Sequence, residues 1–569
     1  PSPKKAVHQQ AEDLDLDQLL DEATGRHPAP DLAERIGARH RAAVATAAPT
    51  AEEEKVNDGF NNWWLAAAVA LGMAALGGVA WERIAGEGGN GDPAKNRSVD
   101  DAGPVDENSP VDENRPIQSP NLFPLYTPPE GIAHVHSGAE VDALPADTKA
   151  LHCFDFTDRD MASLAKLTEL EWLDLSGMVE ASTWNLNSPP LTDKGLVHLA
   201  GLQNLKVLIL DECGHVLGEG LEHVGRLTGL LRLSLDRCNI DRQHLMQLAP
   251  LTELRSLHLN GNDCAEADSF RFILGLRKLQ FLNLGACFQL RADFLKELGT
   301  LRTLRSLDLS FVCGSFLGQT AMGGNAPGPP PRPVMQQGDG KGVTDEVLAG
   351  FTQLDQLEAL TLYWCPEVTD DGLRRLMSLP KLRELDIRRL PKLTDWIGAG
   401  MPESLELIRC GECRQLGDKF LGELGRRCPN LKTLDLARVE TPMARIENRF
   451  TQSGLAVLLG RVTQLEHLNL LGNTQMTKTS DDDWVRVQLS GLKTLILDAN
   501  DTVVEWWLRE PLLEFRNQTT GPVIRLEGVS LRSSKVTDEQ LVHLAKAPLK
   551  GLDVRRCSKI TSAAIEPLR

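Results

Sequence analysis

A six-residue apolar pattern recurs through the C-terminal three quarters of the chain. It has the form L-x-x-L-x-L, in which isoleucine, valine, phenylalanine or cysteine sometimes replaces a leucine. The last two apolar residues alternate with polar ones, which predicts a short β-strand with one buried face. Nine of the fourteen intervals between the fifteen copies are 23–27 residues long. The copies begin at Leu151, Leu170, Leu205, Leu230, Leu254, Leu279, Leu304, Leu357, Leu382, Leu405, Leu431, Leu465, Leu492, Leu526 and Leu549.

The residues that follow each pattern predict a turn and then a helix. About three residues after the strand comes a cysteine or asparagine, such as Cys213 or Asn262, whose small side chain can cap the turn from inside. Helix starts follow, as in Val368-Thr369-Asp370, where Thr or Asp can serve as the N-cap and an acid suits the helix dipole. Apolar pairs such as Leu196 and Leu199 would turn each helix toward the strands.

This period and core resemble the leucine-rich repeat. Cys428 to Leu436 (CPNLKTLDL) resembles the cysteine-containing subclass found in ribonuclease-inhibitor-like proteins and in the substrate receptors of F-box ubiquitin ligases. The resemblance covers residues 151–569 and implies an α/β solenoid of horseshoe shape, with a parallel β-sheet on the concave face and helices on the convex face. We predict one such domain over residues 131–569, with about fifteen repeats.

The first 130 residues differ in character. Residues 1–62 are polar and predict a mostly disordered tail, with a docking segment that folds on a partner as the alternative. Residues 63–81 form an uncharged apolar run between tryptophans and predict one transmembrane helix. Residues 82–130 are rich in Pro, Gly and acids, with a tandem PVDEN, and predict an extended linker. This layout resembles bacterial membrane-anchored repeat proteins such as those of planctomycetes.

The orientation in the membrane is weakly specified. Arg83, Lys95 and Arg97 favour a cytoplasmic C-terminal side. An uncleaved anchor behind a short tail more often leaves that tail in the cytoplasm. We therefore expect a single-pass membrane protein with an extracytoplasmic repeat domain.

The longest interval between copies contains a Gly/Pro-rich insert over residues 314–342. Its PPPRP run, Pro329 to Pro333, is either part of a flexible surface insertion or a polyproline docking motif, and composition favours the insertion.

The chain has 569 residues and a formal net charge of −18, which argues against a general affinity for nucleic acid. It contains no P-loop, H-E-x-x-H or G-x-S-x-G motif. Cys410 and Cys413 form a C-x-x-C, but both fall on repeat positions, which favours a structural role over a zinc site. We expect no enzymatic activity, no catalytic or metal-binding residues, no cofactor and no small-molecule substrate.

What remains is a binding surface for a protein or peptide on the concave face. The side chains between the strand leucines, and those just beyond, would face it. The candidate partner-binding residues are Trp172, Asp174, Asp211, Asp236, His258, Asn283, Asp308, Tyr363, Asp386, Arg388 and Arg409. The leading hypothesis is a membrane-anchored interaction module. The alternative is a substrate receptor of a ubiquitin-ligase-like complex, although no F-box is visible before Leu151.

Overall fold

A computed structural model describes residues 129–177, 191–262 except 239 and 242, 267–313, 342–438, 449–473, 491–499, 526–544 and 549–564. The predicted tail, the apolar segment 63–81, the linker up to residue 128 and the insert from 314 to 341 lie outside these ranges. Within the described residues, no helix combines the length and apolar character that a membrane crossing requires.

The described strands form one parallel sheet of sixteen strands, arranged in the order of the sequence. Each strand pairs with the strands before and after it along the chain. The strands are β1 Ala133–Val135, β2 Ala150–Cys153, β3 Trp172–Asp174, β4 Val207–Ile209, β5 Arg232–Ser234, β6 Ser256–His258, β7 Phe281–Asn283, β8 Ser306–Asp308, β9 Ala359–Thr361, β10 Glu384–Asp386, β11 Leu407–Arg409, β12 Thr433–Asp435, β13 His467–Asn469, β14 Thr494–Ile496, β15 Gly528–Ser530 and β16 Gly551–Asp553.

The fifteen predicted copies correspond to β2–β16, and β1 is a further strand that the leucine pattern did not predict. The predicted register of the first copy is wrong. Leu151 pairs with Leu173 and therefore holds the second apolar position of its repeat, not the first. The core is filled there by Leu151 and Cys153, which are 0% and 1% exposed. Phe154, assigned to the second position, instead stacks on the His152 ring with centroids 4.1 Å apart.

Short helices alternate with the strands and lie on the other side of the leucine core. About half are 3-10 helices rather than the predicted α-helices. The α-helices are α1 Gly138–Ala143, α2 Leu221–Val224, α3 Ala292–Glu297, α4 Asp345–Gly350, α5 Asp370–Leu376, α6 Asp418–Arg427, α7 Gln452–Leu459 and α8 Asp538–Leu544. The 3-10 helices span Asp160–Lys166, Gly195–Gly201, Leu245–Leu248, Ala267–Gly275, Leu298–Thr300, Phe351–Gln353, Asp395–Gly400 and Ser562–Ala564.

The predicted helix starts are confirmed, and they also join neighbouring repeats. The Thr369 hydroxyl accepts a hydrogen bond from the Asp371 amide at 3.2 Å, as an N-cap does. The Asp345 carboxylate accepts from the Thr369 amide at 2.8 Å and from its hydroxyl at 2.6 Å. Asp370 accepts from the Thr394 amide at 2.9 Å in the same way. The first acid of one helix thus holds the cap residue of the next.

Candidate functional site

The outer face of the sheet carries the first and third residues of each three-residue strand, which point away from the leucine core. Strand pairing places the third residues side by side, for example Asp308 beside Thr361 and Asp386 beside Arg409. All eleven predicted partner-binding residues lie on β3–β11 or in the turns that follow these strands. Trp172 is a first residue, and Asp211, Asp236, Tyr363 and Arg388 stand two residues beyond the third.

These side chains are less exposed than a solvated row of charges would be. Trp172, His258, Asn283, Asp386 and Arg409 are buried, Asp386 to 2% exposure and Arg409 to 4%. The other six predicted residues are half-buried. Each therefore takes part in packing or hydrogen bonding within the sheet, whatever else it binds.

The acids of this face accept hydrogen bonds from the backbone of the turns. Asp174 accepts from the Ser176 amide at 2.9 Å, and Asp308 from the Ser310 amide at 2.8 Å. Asp236 reaches the next repeat and accepts from the Asn260 amide at 2.7 Å. An unsatisfied amide in such a turn would cost about 1–3 kcal/mol, so these carboxylates stabilise the turns.

Burial also changes the charge of these acids. It raises the pKa of Asp236 to about 8, with the neighbouring Asp211 carboxylate adding to the shift. Burial likewise raises the pKa values of Asp211 and Asp308. It lowers the pKa of the His258 imidazole to about 3. The first half of the outer face is therefore less negative at neutral pH than its composition indicates.

An aromatic–arginine cluster lies in the turns that follow β8, β9 and β10. It consists of Phe311, Tyr363, Trp364, Arg388 and Arg389. The Phe311 and Tyr363 rings meet edge to face with centroids 4.8 Å apart. The Arg388 guanidinium lies 4.7 Å from the Tyr363 ring centroid, and Arg389 lies 4.7 Å from that of Trp364. Asp386 accepts from Arg388 Nε at 3.0 Å, and Glu412 pairs with Arg389, so both cations are held in place.

Sequence reasoning found only Tyr363 and Arg388 of this cluster. Phe311, Trp364 and Arg389 have φ values of 60°, 58° and 56°. Non-glycine residues seldom adopt this left-handed region. The signal that could have found them is a bulky residue at the fourth position after the middle strand leucine, where the turn requires a positive φ.

A second row that sequence reasoning missed runs along the edge of the sheet where the strands begin. It consists of the residue before the first residue of each strand from β2 to β16, and we call it the rim row. From Glu171 onward, each amide of this row donates to the carbonyl of the row residue in the preceding repeat, as Arg383 does to Glu358 at 2.8 Å. The rim row is Lys149, Glu171, Lys206, Leu231, Arg255, Gln280, Arg305, Glu358, Arg383, Glu406, Lys432, Glu466, Lys493, Glu527 and Lys550.

Inside the turns, the predicted cysteine and asparagine caps are confirmed. Cys287 Sγ donates to the Leu259 carbonyl at 3.2 Å, and Asn262 Nδ2 donates to the Leu235 carbonyl at 2.7 Å. Each of these caps thus binds a backbone carbonyl of the preceding repeat. The described residues form a leucine-rich-repeat solenoid.

The same rule accounts for the C-x-x-C motif of the solenoid. Cys410 fills a buried third apolar position, and Cys413 Sγ donates to the Ile387 carbonyl at 3.1 Å. Burial raises the pKa of Cys413 to about 12, so its thiol stays protonated at neutral pH. Among the side chains that the structure describes, no three His, Cys, Asp or Glu are grouped as a metal site requires.

Solved structures similar to the solenoid come from varied proteins. An internalin of Listeria monocytogenes matches at 16% identity and a TM-score of 0.34, over 67% of this chain and 88% of the internalin. The yeast Rad7–Elc1 complex matches at 16% and 0.39, over 55% of this chain and 77% of the matched one. The TLR13–ssRNA13 complex matches at 17% and 0.35, over 74% and 52%.

At these identities and TM-scores no property of the matched proteins carries over to this chain. No profile of a known protein family and no curated protein matches the sequence.

Proposed function

We propose that the solenoid is a non-enzymatic interaction module that binds a protein or peptide on the outer face of its sheet, the predicted concave side. The observation that carries this proposal is the aromatic–arginine cluster. Tyr, Trp and Arg are the residues most enriched among those that dominate binding energy at protein interfaces. Here the two arginines are already held by Asp386 and Glu412, so little side-chain entropy would be lost when a partner binds.

The acids of the first repeats play a secondary part in this proposal. Asp211 and Asp236 accept hydrogen bonds from amides of the next repeat, and Asp308 accepts one within its own turn. These acids therefore stabilise the fold as well as lining the outer face. The partner would therefore be anchored at Tyr363 and Trp364. The rest of the outer face would match the partner in shape and charge while contributing less to the binding energy.

A capture experiment tests the anchor. The chain with Tyr363→Ala should lose a partner that the unchanged chain retains, with affinity reduced about thirtyfold, or about 2 kcal/mol. The control is Trp396→Ala, which removes a ring of 67% exposure on the helix side, 3.9 Å from Lys419 Nζ. Quantitative mass spectrometry of proteins retained from source cells, followed by titration of the main partner, gives the comparison.

Equal retention by both variants would contradict an outer-face anchor at this cluster. Capture of a Skp-like adaptor by all three chains, with a substrate lost only from Tyr363→Ala, would instead favour the ubiquitin-ligase-type alternative.

We further propose that residues 63–81 anchor the chain in a membrane with the solenoid on the extracytoplasmic side. The support is the uncharged run between Trp63 and Trp81, long enough to span a bilayer. Protease added to intact cells should then cleave the repeat domain, and deletion of residues 63–81 should release the chain from the membrane fraction. Protection of the domain until lysis would reverse the orientation, and unchanged sedimentation of the deletion variant would remove the anchor.

A further inference from the structure

The charges of the rim row alternate in sign over most of the sheet. From Arg305 to Lys550 every second residue is basic and every residue between is a glutamate. Neighbours pair across repeats, as in Arg305–Glu358 at 2.9 Å, Lys432–Glu406 at 2.8 Å and Lys550–Glu527 at 2.9 Å. At the other end Glu171 pairs with both Lys149 and Lys206. In these stretches each charged residue of the rim row therefore has a residue of opposite charge beside it.

The alternation fails between Lys206 and Arg305. The two positions where acids would continue it are occupied by Leu231 and Gln280, which flank Arg255. Arg255 is exposed, and no carboxylate of the described residues lies within salt-bridge distance of its guanidinium. The backbone of Arg255 is hydrogen-bonded to Leu231 in the preceding repeat and to Gln280 in the next one. Because both side chains are uncharged, no acid of the adjacent row positions balances the charge of Arg255.

Three more arginines surround this gap. Arg232 is the first residue of β5, lies on the outer face and pairs with Ser256 of β6. Its positive charge adds to the effect of burial in lowering the pKa of the His258 imidazole. Arg277 and Arg302 are exposed on the loops that lead into β7 and β8. Within the described part of the chain none of the three has an ion pair; the one nearby acid of these loops, Glu253, is taken by Lys278 at 2.6 Å. We call Arg232, Arg255, Arg277 and Arg302 the arginine patch.

We propose that the arginine patch binds an acidic, extended segment of a partner protein, at the gap in the rim row. This rests on the proposed function and names the chemistry of the partner. Four unbalanced cations in four consecutive repeats, on a chain of net charge −18, form a local field of the opposite sign to that of the whole molecule. Phe281, half-buried at the start of β7 beside Gln280, offers an apolar contact next to the cations.

A peptide fits this patch better than a nucleic acid does. Four repeats at the strand spacing of about 4.8 Å extend roughly 15–20 Å, which is the length of a short extended peptide. A nucleic acid would continue along its backbone onto neighbouring repeats, where the rim row is balanced by glutamates such as Glu171 and Glu358. Nucleic-acid binding calls for a longer basic surface.

The test uses the whole 569-residue chain in detergent and a fluorescein-labelled decaglutamate peptide, followed by fluorescence anisotropy. The double variant Arg232→Gln/Arg255→Gln should bind the peptide about fivefold more weakly, since each exposed charge contact contributes modestly. The matched control Arg374→Gln/Arg426→Gln removes two exposed, paired arginines from the helix side and should leave the affinity unchanged.

Gln280→Glu is the sharper variant, because it restores an acid between Arg255 and Arg305 without changing side-chain size. It should weaken peptide binding and at the same time raise the temperature of unfolding, since it gives Arg255 and Arg305 a carboxylate between them. A merely damaged surface would lower both.

Unchanged affinity in the patch variants, or an equal loss in the control, would overturn the proposal. So would tighter binding of a labelled oligothymidylate than of the peptide, which would make the patch a nucleic-acid site. A gain in peptide affinity on neutralising the acids of residues 104–114 would identify the chain's own linker as the occupant and also overturn it. None of these outcomes alters the result expected for Tyr363→Ala, so the two proposals fail separately.

Discussion

Replacing Gly299 with alanine is expected to lower the free energy of unfolding by about 3 kcal/mol. Gly299 lies in the 3-10 helix Leu298–Thr300, and a Cβ built there would be 2.0 Å from the Gly350 carbonyl oxygen and 2.7 Å from its carbonyl carbon. The obstacle is backbone rather than the end of a flexible side chain. Either α4 must move away from its neighbour or the residue must leave the helix, and both disturb the core.

The position of this contact increases the expected effect. Gly299 and Gly350 lie on either side of the insert, where the chain between successive repeats is longest, yet β8 and β9 still pair directly. Their close approach is therefore one of the contacts that keep the two halves of the solenoid continuous. Gly275→Ala, at a helix end where a Cβ would meet nothing within 4 Å, is the control. Urea denaturation followed by circular dichroism compares them, and equal stability of the two variants would contradict the close approach.

Asp236→Asn is expected to stabilise the solenoid at pH 8 by on the order of 2 kcal/mol and to have little effect at pH 4. In the folded chain burial raises the pKa of Asp236 to about 8. The folded state therefore binds this proton more tightly than the unfolded state does, and the wild-type chain should lose stability as the pH rises from about 4 to 8. The amide has no proton to lose, and its oxygen can still accept from the Asn260 amide.

Chemical denaturation at several pH values between 4 and 8 checks this expectation. The stability of the variant should still fall with pH, because Asp211 and Asp308, whose pKa values are also raised, still contribute. The fall should be shallower than in the wild type, because Asp236 no longer titrates. Asp142→Asn, which changes an exposed carboxylate on α1, serves as the control. Parallel pH profiles for the wild type and Asp236→Asn would show that Asp236 is ionised in the folded protein.

Most of the sheet could be predicted from the sequence because one spacing rule governs it. Leucines such as Leu307 and Leu360 recur at the middle position of the L-x-x-L-x-L pattern, as expected for a strand with one buried face. In the structure these two leucines are directly paired on neighbouring strands. The rule failed at the first repeat, where Thr148 stands in place of the first leucine and shifted the match by three residues. It also missed β1, since Ala133 and Val135 supply too little apolar surface to stand out.

The sequence predicted which side chains lie on the outer face, but it did not predict their contacts. Spacing identifies which side chains face outward, so Asp174, Asp236 and Asp308 were placed on the right face. It does not tell whether an outward carboxylate meets solvent or turns back to cap an amide, because that depends on burial and on the neighbouring repeat. Trp364 and Arg389 were missed for a related reason: their outward direction comes from a left-handed backbone, which no apolar period encodes.

The alternation along the rim row also favours changes in the length of this solenoid by two repeats at a time. Removing one repeat between Arg305 and Lys550 would bring two like charges side by side at the edge of the sheet, as with Arg305 and Arg383 if the repeat of Glu358 were lost. Removing two restores the order of signs, because every second residue is equivalent. In this part of the chain the charge pattern of the rim row therefore repeats every two repeats, although the backbone pattern repeats every one.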